Sequence, residues 1–140
     1  EVICHNDFAP YNMVFEQQRI TGVIDFDMAS PGPRLWDLAY LAYRLIPLTG
    51  GTNPDGVRSD EKTRLSRLDT LIAAYGSPFS RLAFLGMVQQ RLRHLARFSE
   101  ELADETGRVQ LQEHAALYRS DSEYIQQLLA GLTAEPGTTA

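Results

Sequence analysis

Cysteine and lysine each occur once in this chain, and each scarcity excludes something. With Cys4 as the sole cysteine no intramolecular disulfide can form, and a reducing compartment is the natural setting. Lying between Ile3 and His5, it reads as a small buried residue and not as a nucleophile. Lys62 is the only lysine, and no glycine-rich phosphate cradle occurs, since Gly50-Gly51 runs into Thr52-Asn53-Pro54, which is turn chemistry. No apolar run reaches the ~18 residues of a membrane span, and the N-terminus has no basic-then-apolar leader, so no membrane partner is expected and the expected location is cytoplasmic. Positive charge is short as well. Thirteen Lys and Arg against 18 Asp and Glu give a net charge of −5, which argues against a nucleic-acid surface and suits a cationic small molecule. What is present is 140 residues, 44% hydrophobic, enough for one domain with a real core and free of repeats or low-complexity tracts.

One stretch has a spacing of polar residues that dictates a chemistry: His5-Asn6-Asp7-Phe8-Ala9-Pro10-Tyr11-Asn12. A carboxylate at Asp7 and an amide at Asn12 reproduce the His-x-Asp-x-x-x-x-Asn pattern of a kinase catalytic loop. An Asp there can accept a hydrogen bond from an acceptor hydroxyl and take its proton, and the amide oxygen of Asn is a hard, neutral ligand suited to Mg²⁺. Pro10 fixes one φ and pushes Ala9 out of the helical region, so a loop is expected between them. With the base role filled by Asp7, His5 reads as a buried hydrogen-bonding residue that locks the loop. A second polar patch follows. Ile20 to Asp27 reads as a turn and a buried strand ending in carboxylates, and a hairpin of Val14-Phe15 with Val23-Ile24 around the turn Glu16 to Arg19 brings Asp25 beside Asn12.

His5-Asn6-Asp7 to Asn12, Ile24-Asp25-Phe26-Asp27 and Trp36-Asp37-Leu38-Ala39 together resemble the C-terminal lobe of the aminoglycoside phosphotransferase and choline kinase family, within residues 1–45. The resemblance implies a protein-kinase-like fold, ATP as co-substrate, Mg²⁺, and phosphorylation of a hydroxyl on a small molecule. It implies Asp7 as catalytic base, Asn12 and Asp25 as metal ligands, and Asp37 as a structural brace of the loop. Asp27 stands where the kinase Asp-Phe-Gly segment has glycine, and either a second Mg²⁺ or a backbone group could engage it. Many members carry glycine where this chain has Asn6. Such an enzyme also needs a lysine on a strand upstream of the loop to hold the nucleotide phosphates. The expectation is therefore a C-lobe over residues 1–132 with its nucleotide lobe absent, a fragment or a degenerate relative that begins inside the strand Val2–Cys4 and is inactive until that lobe is supplied. Two other classes stay open. One is a non-catalytic kinase-like binding module that kept the loop for folding reasons, and the other a metal-dependent hydrolase built on Asp7, Asp25 and Asp27.

The expected fold class is α+β and mainly α-helical, with a small hairpin beside the loop and four helices. Ala29 to Pro33 is dense in turn formers, and a first helix starts at Arg34 with Asp37 in its first turn. Pro47 to Arg58 reads as an exposed loop, and a second helix runs from Asp60 to Tyr75 with Gly76 as its stop. Pro78 opens a third, with a stripe of Leu82, Leu85, Val88, Leu92, Leu95 and Phe98; Arg91, Arg93 and Arg97 read as a solvated face paired with Glu100, Glu101 and Asp104. A last helix follows Thr106-Gly107, His94 and His114 read as ordinary helix residues, and residues 133–140 read as a flexible tail. Val2, Ile3, Val14, Phe15, Val23 and Ile24 would lie on an uncovered upper surface beside an unpaired strand edge, so a homodimer through that surface is expected.

Overall fold

The computed structural model describes residues 1–51, 59–76 and 78–134. Two small antiparallel sheets stand at one end of a helical body. Strand β1 (Val2–Cys4) pairs with β4 (Ser30–Gly32), and β2 (Met13–Glu16) pairs with β3 (Arg19–Val23). Helices α1 (Trp36–Leu45), α2 (Glu61–Tyr75), α3 (Arg81–Thr106) and α4 (Val109–Ala134) follow. The chain is thus α+β and mainly helical, as its sequence implies.

The hairpin forms where the β-rich pairs place it. Gln17 and Gln18 connect its strands with φ of 47° and 65°, and two left-handed residues in a row give the twist that joins right-twisted strands tightly. The strand ends at Val23, short of the expected Asp27, and it is not buried: Phe15 and Ile20 remain more than half exposed. Asp25 takes a φ of 64°, which no strand residue adopts. The turn-rich segment also departs from expectation. Ser30, Pro31 and Gly32 form β4 and pair with Cys4, Ile3 and Val2, so β1 does not leave both edges free. Gly32 is needed there, since a Cβ would sit 2.9 Å from the Cys4 sulfur. Cys4 is buried and its thiol donates to the Pro33 carbonyl at 3.4 Å.

Helix boundaries follow their caps. Asp60 accepts from Thr63 N–H at 2.6 Å and starts α2, and Gly76, at φ 73°, ends it. α3 starts after Ser80, whose hydroxyl accepts from Ala83 N–H at 3.1 Å; the side-chain cap, not Pro78, sets the boundary. Gly107, at φ 70°, ends it. α3 and α4 lie against each other, α1 packs on α3, and the core gathers Tyr40, Leu48, Leu68, Phe84, Val88 and Ile125. Pro47, Leu48 and Thr49 are buried, so the segment after α1 begins inside the core and not as an exposed loop; the expected loop residues 52–58 lie outside the described residues. Thr133 and Ala134 complete α4, and the remainder of the expected tail, 135–140, also lies outside them. No helix among the described residues is long and apolar enough to cross a membrane.

Candidate active site

Residues 5–12 run between the two sheets and end in a single 3₁₀ turn, Pro10–Asn12, that begins at the proline. Two side chains, Asp37 and Arg91, hold this loop from outside, and Asn6 ties it down from within. The Asp37 carboxylate, in the first turn of α1, accepts from the backbone N–H of His5 at 2.7 Å and of Asn6 at 2.9 Å. Asn6 itself is left-handed, at φ 67°, and its Nδ2 donates to the Met28 carbonyl at 2.7 Å and the Ser30 hydroxyl at 2.8 Å. Asparagine therefore fills a conformation that glycine usually fills, and ties the loop to β4 in doing so. Arg91 of α3 donates through Nη2 to the Asn6 carbonyl, with its guanidinium 4.8 Å from the Trp36 ring and 5.3 Å from that of Tyr40.

The expected solvated role of Arg91 is therefore corrected: it is 3% exposed and pairs with none of Glu100, Glu101 or Asp104. Arg93 and Arg97 are exposed, Arg93 donates to Gln126, and the bidentate partner of Glu100 is Arg119. A signal was available. Arg91 stands three residues after Val88 and four before Leu95, on the apolar stripe itself.

His5 is buried and stitches the loop to the second polar segment. A carbonyl can only accept, so Nε2–H donates to Ile24 O at 2.8 Å, and Nδ1 accepts from Asp7 N–H at 3.2 Å. The Phe26 ring packs against the imidazole at 4.6 Å. Ile24 N–H donates in turn to the Asn12 carbonyl at 3.0 Å. These two bonds hold Ile24, the residue before Asp25, against the loop.

The Asp7 carboxylate is addressed from two sides. Asn12 Nδ2 donates to Oδ2 and to the Asp7 carbonyl, both at 2.9 Å, and the Tyr11 hydroxyl donates to Oδ1. Burial, and then the bonds to Asp7 and Tyr40, push the Tyr11 hydroxyl well above its ordinary pKa, which keeps it a donor. Its oxygen also lies 3.0 Å from that of Tyr40. Beyond these phenols a cavity of about 310 Å³ is lined by Tyr11, Tyr40, Tyr43, Arg44, His114 and Tyr118, with the Arg44 guanidinium 5.6 Å from the Tyr11 ring. None of these lining residues was assigned a site role from sequence, because they come from three elements distant in the chain.

With its nitrogen committed to Asp7, Asn12 has its amide oxygen as the end left to a cation, and Asp25 and Asp27 are exposed carboxylates with no hydrogen bond or ion pair among the described residues. One amide oxygen with carboxylate oxygens is a donor set that fits Mg²⁺. No group of three or more His, Cys, Asp or Glu side chains placed to hold a metal occurs among the described residues, so the hydrolase reading lacks the gathered Asp7, Asp25 and Asp27 on which it depended.

These features define a mainly helical α+β lobe that presents a braced polar loop, a carboxylate with a hydroxyl already seated on it, at the end carrying its sheets. The family model described as "Phosphotransferase enzyme family" matches residues 1–85. That is more than half of the chain, which belongs to this family. Comparison with curated proteins and with solved structures finds no match.

Proposed function

We propose that this chain is the acceptor-side lobe of a phosphotransferase that moves the γ-phosphoryl group of ATP to a hydroxyl of a small molecule, with Asp7 as the base. The observation that carries this reading is the Tyr11 hydroxyl on Asp7 Oδ1. The carboxylate is oriented by Asn12 and already accepts from an O–H, which is the interaction an acceptor hydroxyl makes with a general base. Tyr11 is half exposed and able to yield that place, and the neighbouring tyrosine-lined cavity gives the acceptor a bed. Phosphoryl transfer is largely positioning and charge stabilisation, and a loop held by Asp37, Asn6, His5 and Arg91 supplies the positioning. Asn12 and Asp25, joined by Asp27, would hold Mg²⁺, which would supply charge neutralisation to the phosphate being transferred.

Lys62 lies in the first turn of α2, so a lysine for the nucleotide phosphates has to come from outside these 140 residues, and the chain alone is expected to give no ATP-dependent transfer. The ligand assignment has its own test. Mn²⁺ added to the chain in place of Mg²⁺ should broaden the amide resonances of Asn12, Asp25 and Asp27 first, and Asp25→Asn should remove that selectivity. Equal broadening at acidic residues throughout the helices would contradict it. The apolar residues at the sheet end, Ile3, Phe15 and Ile24 among them, further support a homodimer through that surface.

A further inference from the structure

A second cavity, of about 350 Å³, lies between β4, the first turn of α1 and the middle of α3. Its walls are largely apolar, with Met28, Trp36, Leu95 and Phe98, and among the described residues no Asp or Glu lines it. Two of its lining groups could carry positive charge. His94, edge-on to Trp36 at 5.3 Å, is held below its ordinary pKa by burial and then by Arg91 and Arg97, which favours its neutral form. Arg91 is the other, and a guanidinium stays charged at neutral pH.

The situation of Arg91 is uncommon for a charge only 3% exposed. Among the described residues it makes no ion pair and donates one hydrogen bond, to the Asn6 carbonyl, and its Nε finds no acceptor. The carboxylate of Asp37 acts on it through space, but the bonds that carboxylate accepts come from the amides of His5 and Asn6. The rings of Trp36 and Tyr40 compensate part of the charge. A guanidinium carries five N–H donors, and buried charges are normally paired and fully hydrogen-bonded. An unpaired buried cation on the wall of an otherwise apolar cavity calls for an anion.

We propose that this cavity is a binding site for a small amphipathic monoanion, an aryl or short alkyl carboxylate, whose carboxylate sits on Arg91 and whose body lies against Trp36 and Phe98. The site does not depend on Asp7 acting as a base. It reaches the loop all the same, because the guanidinium that takes the carboxylate also holds the carbonyl of Asn6, one residue before Asp7.

Trp36 is the only tryptophan in the chain, so its fluorescence reports the cavity directly. The 140-residue chain is titrated with phenylacetate and with its neutral counterpart phenylacetamide. A saturable change with the acid, at least tenfold weaker with the amide, is expected, and it should vanish in Arg91→Met. Should Arg91→Met fail to fold, as judged by circular dichroism, Phe98→Glu serves instead: Phe98 is 40% exposed at the rim, both ligands lose its ring contact, and the added carboxylate should weaken phenylacetate binding at least tenfold more than it weakens phenylacetamide binding. Equal affinity for acid and amide, a change that does not saturate, or a loss in Phe98→Glu no greater for phenylacetate than for phenylacetamide overturns the proposal. Turnover enters none of these readings, so their failure is distinct from a failure of the phosphotransferase assignment.

Discussion

At Asn6 a backbone requirement and a side-chain requirement meet in one residue. Its φ of 67° costs an ordinary L residue about 1–2 kcal/mol, a cost asparagine reduces, and its Nδ2 links the loop to Met28 and Ser30. Glycine would keep the backbone and lose the links; alanine loses both. Asn6→Gly is expected to lower stability by about 1 kcal/mol and Asn6→Ala by about 2–3 kcal/mol, read from urea unfolding midpoints. Equal losses would mean that the left-handed conformation is not what the position requires. Asp7, Asn12 and Asp25 stand out in the sequence because their spacing is dictated by a chemistry, whereas Asn6 fills the unspecified position of that pattern and shows there only as a departure from glycine. Arg91 does not stand out. Its neighbours Arg93 and Arg97 look the same in a composition count, and only its place on the stripe of Val88 and Leu95 separates a buried cation from solvated ones.

Among the elements, α1 and α4 are pinned together by one carboxylate. Asp121 is fully buried on α4 and accepts from the Tyr43 hydroxyl at 2.8 Å and from Gly50 N–H at 2.7 Å. Burial, and then Asp121, push the Tyr43 hydroxyl above its ordinary pKa, so it remains a donor. Asp121→Ala removes the acceptor from these bonds and should cost about 3 kcal/mol, while Asp121→Asn, which keeps an acceptor oxygen, should cost less; thermal unfolding of the two variants checks the order. Asp121 shares with Arg91 the reason it escaped notice. It lies at helical spacing between Tyr118 and Ile125, on an apolar stripe, where its partner is 78 positions away in sequence. Helix ends were legible for the opposite reason. Asp60, Gly76 and Gly107 act on their own helices through contacts within a turn, as does Ser80, whose cap was passed over in favour of Pro78. The pairing of β4 with β1 joins segments far apart in the chain, and the turn composition of Ser30-Pro31-Gly32 gave no hint of it.

For the molecule as a whole, the helical body buries its core well and the sheet end does not. Ile3 is 71% exposed, and Phe15, Ile24, Phe26 and Met28 each more than half, a concentration of apolar surface at the end that carries Asp7. Burial of such area is worth about 25 cal/mol per Å². Since β4 occupies one edge of β1, the self-contact expected here is through the apolar face and not by strand exchange. Sedimentation at micromolar concentration should give twice 15.7 kDa, and Phe15→Lys with Ile24→Lys should return it to the monomer. A monomer for the unaltered chain would count against this surface as a self-contact.

The assignment of Asp7 as base is tested most directly by ADP release dependent on a hydroxyl acceptor, measured on a chain in which a lysine-bearing nucleotide lobe precedes Glu1, with and without Asp7→Asn. The substitution keeps the shape of the side chain and removes its capacity to take a proton. A fall of about 10²–10⁴-fold in turnover with an unchanged thermal midpoint is expected. Turnover within tenfold of the unaltered chain would contradict it.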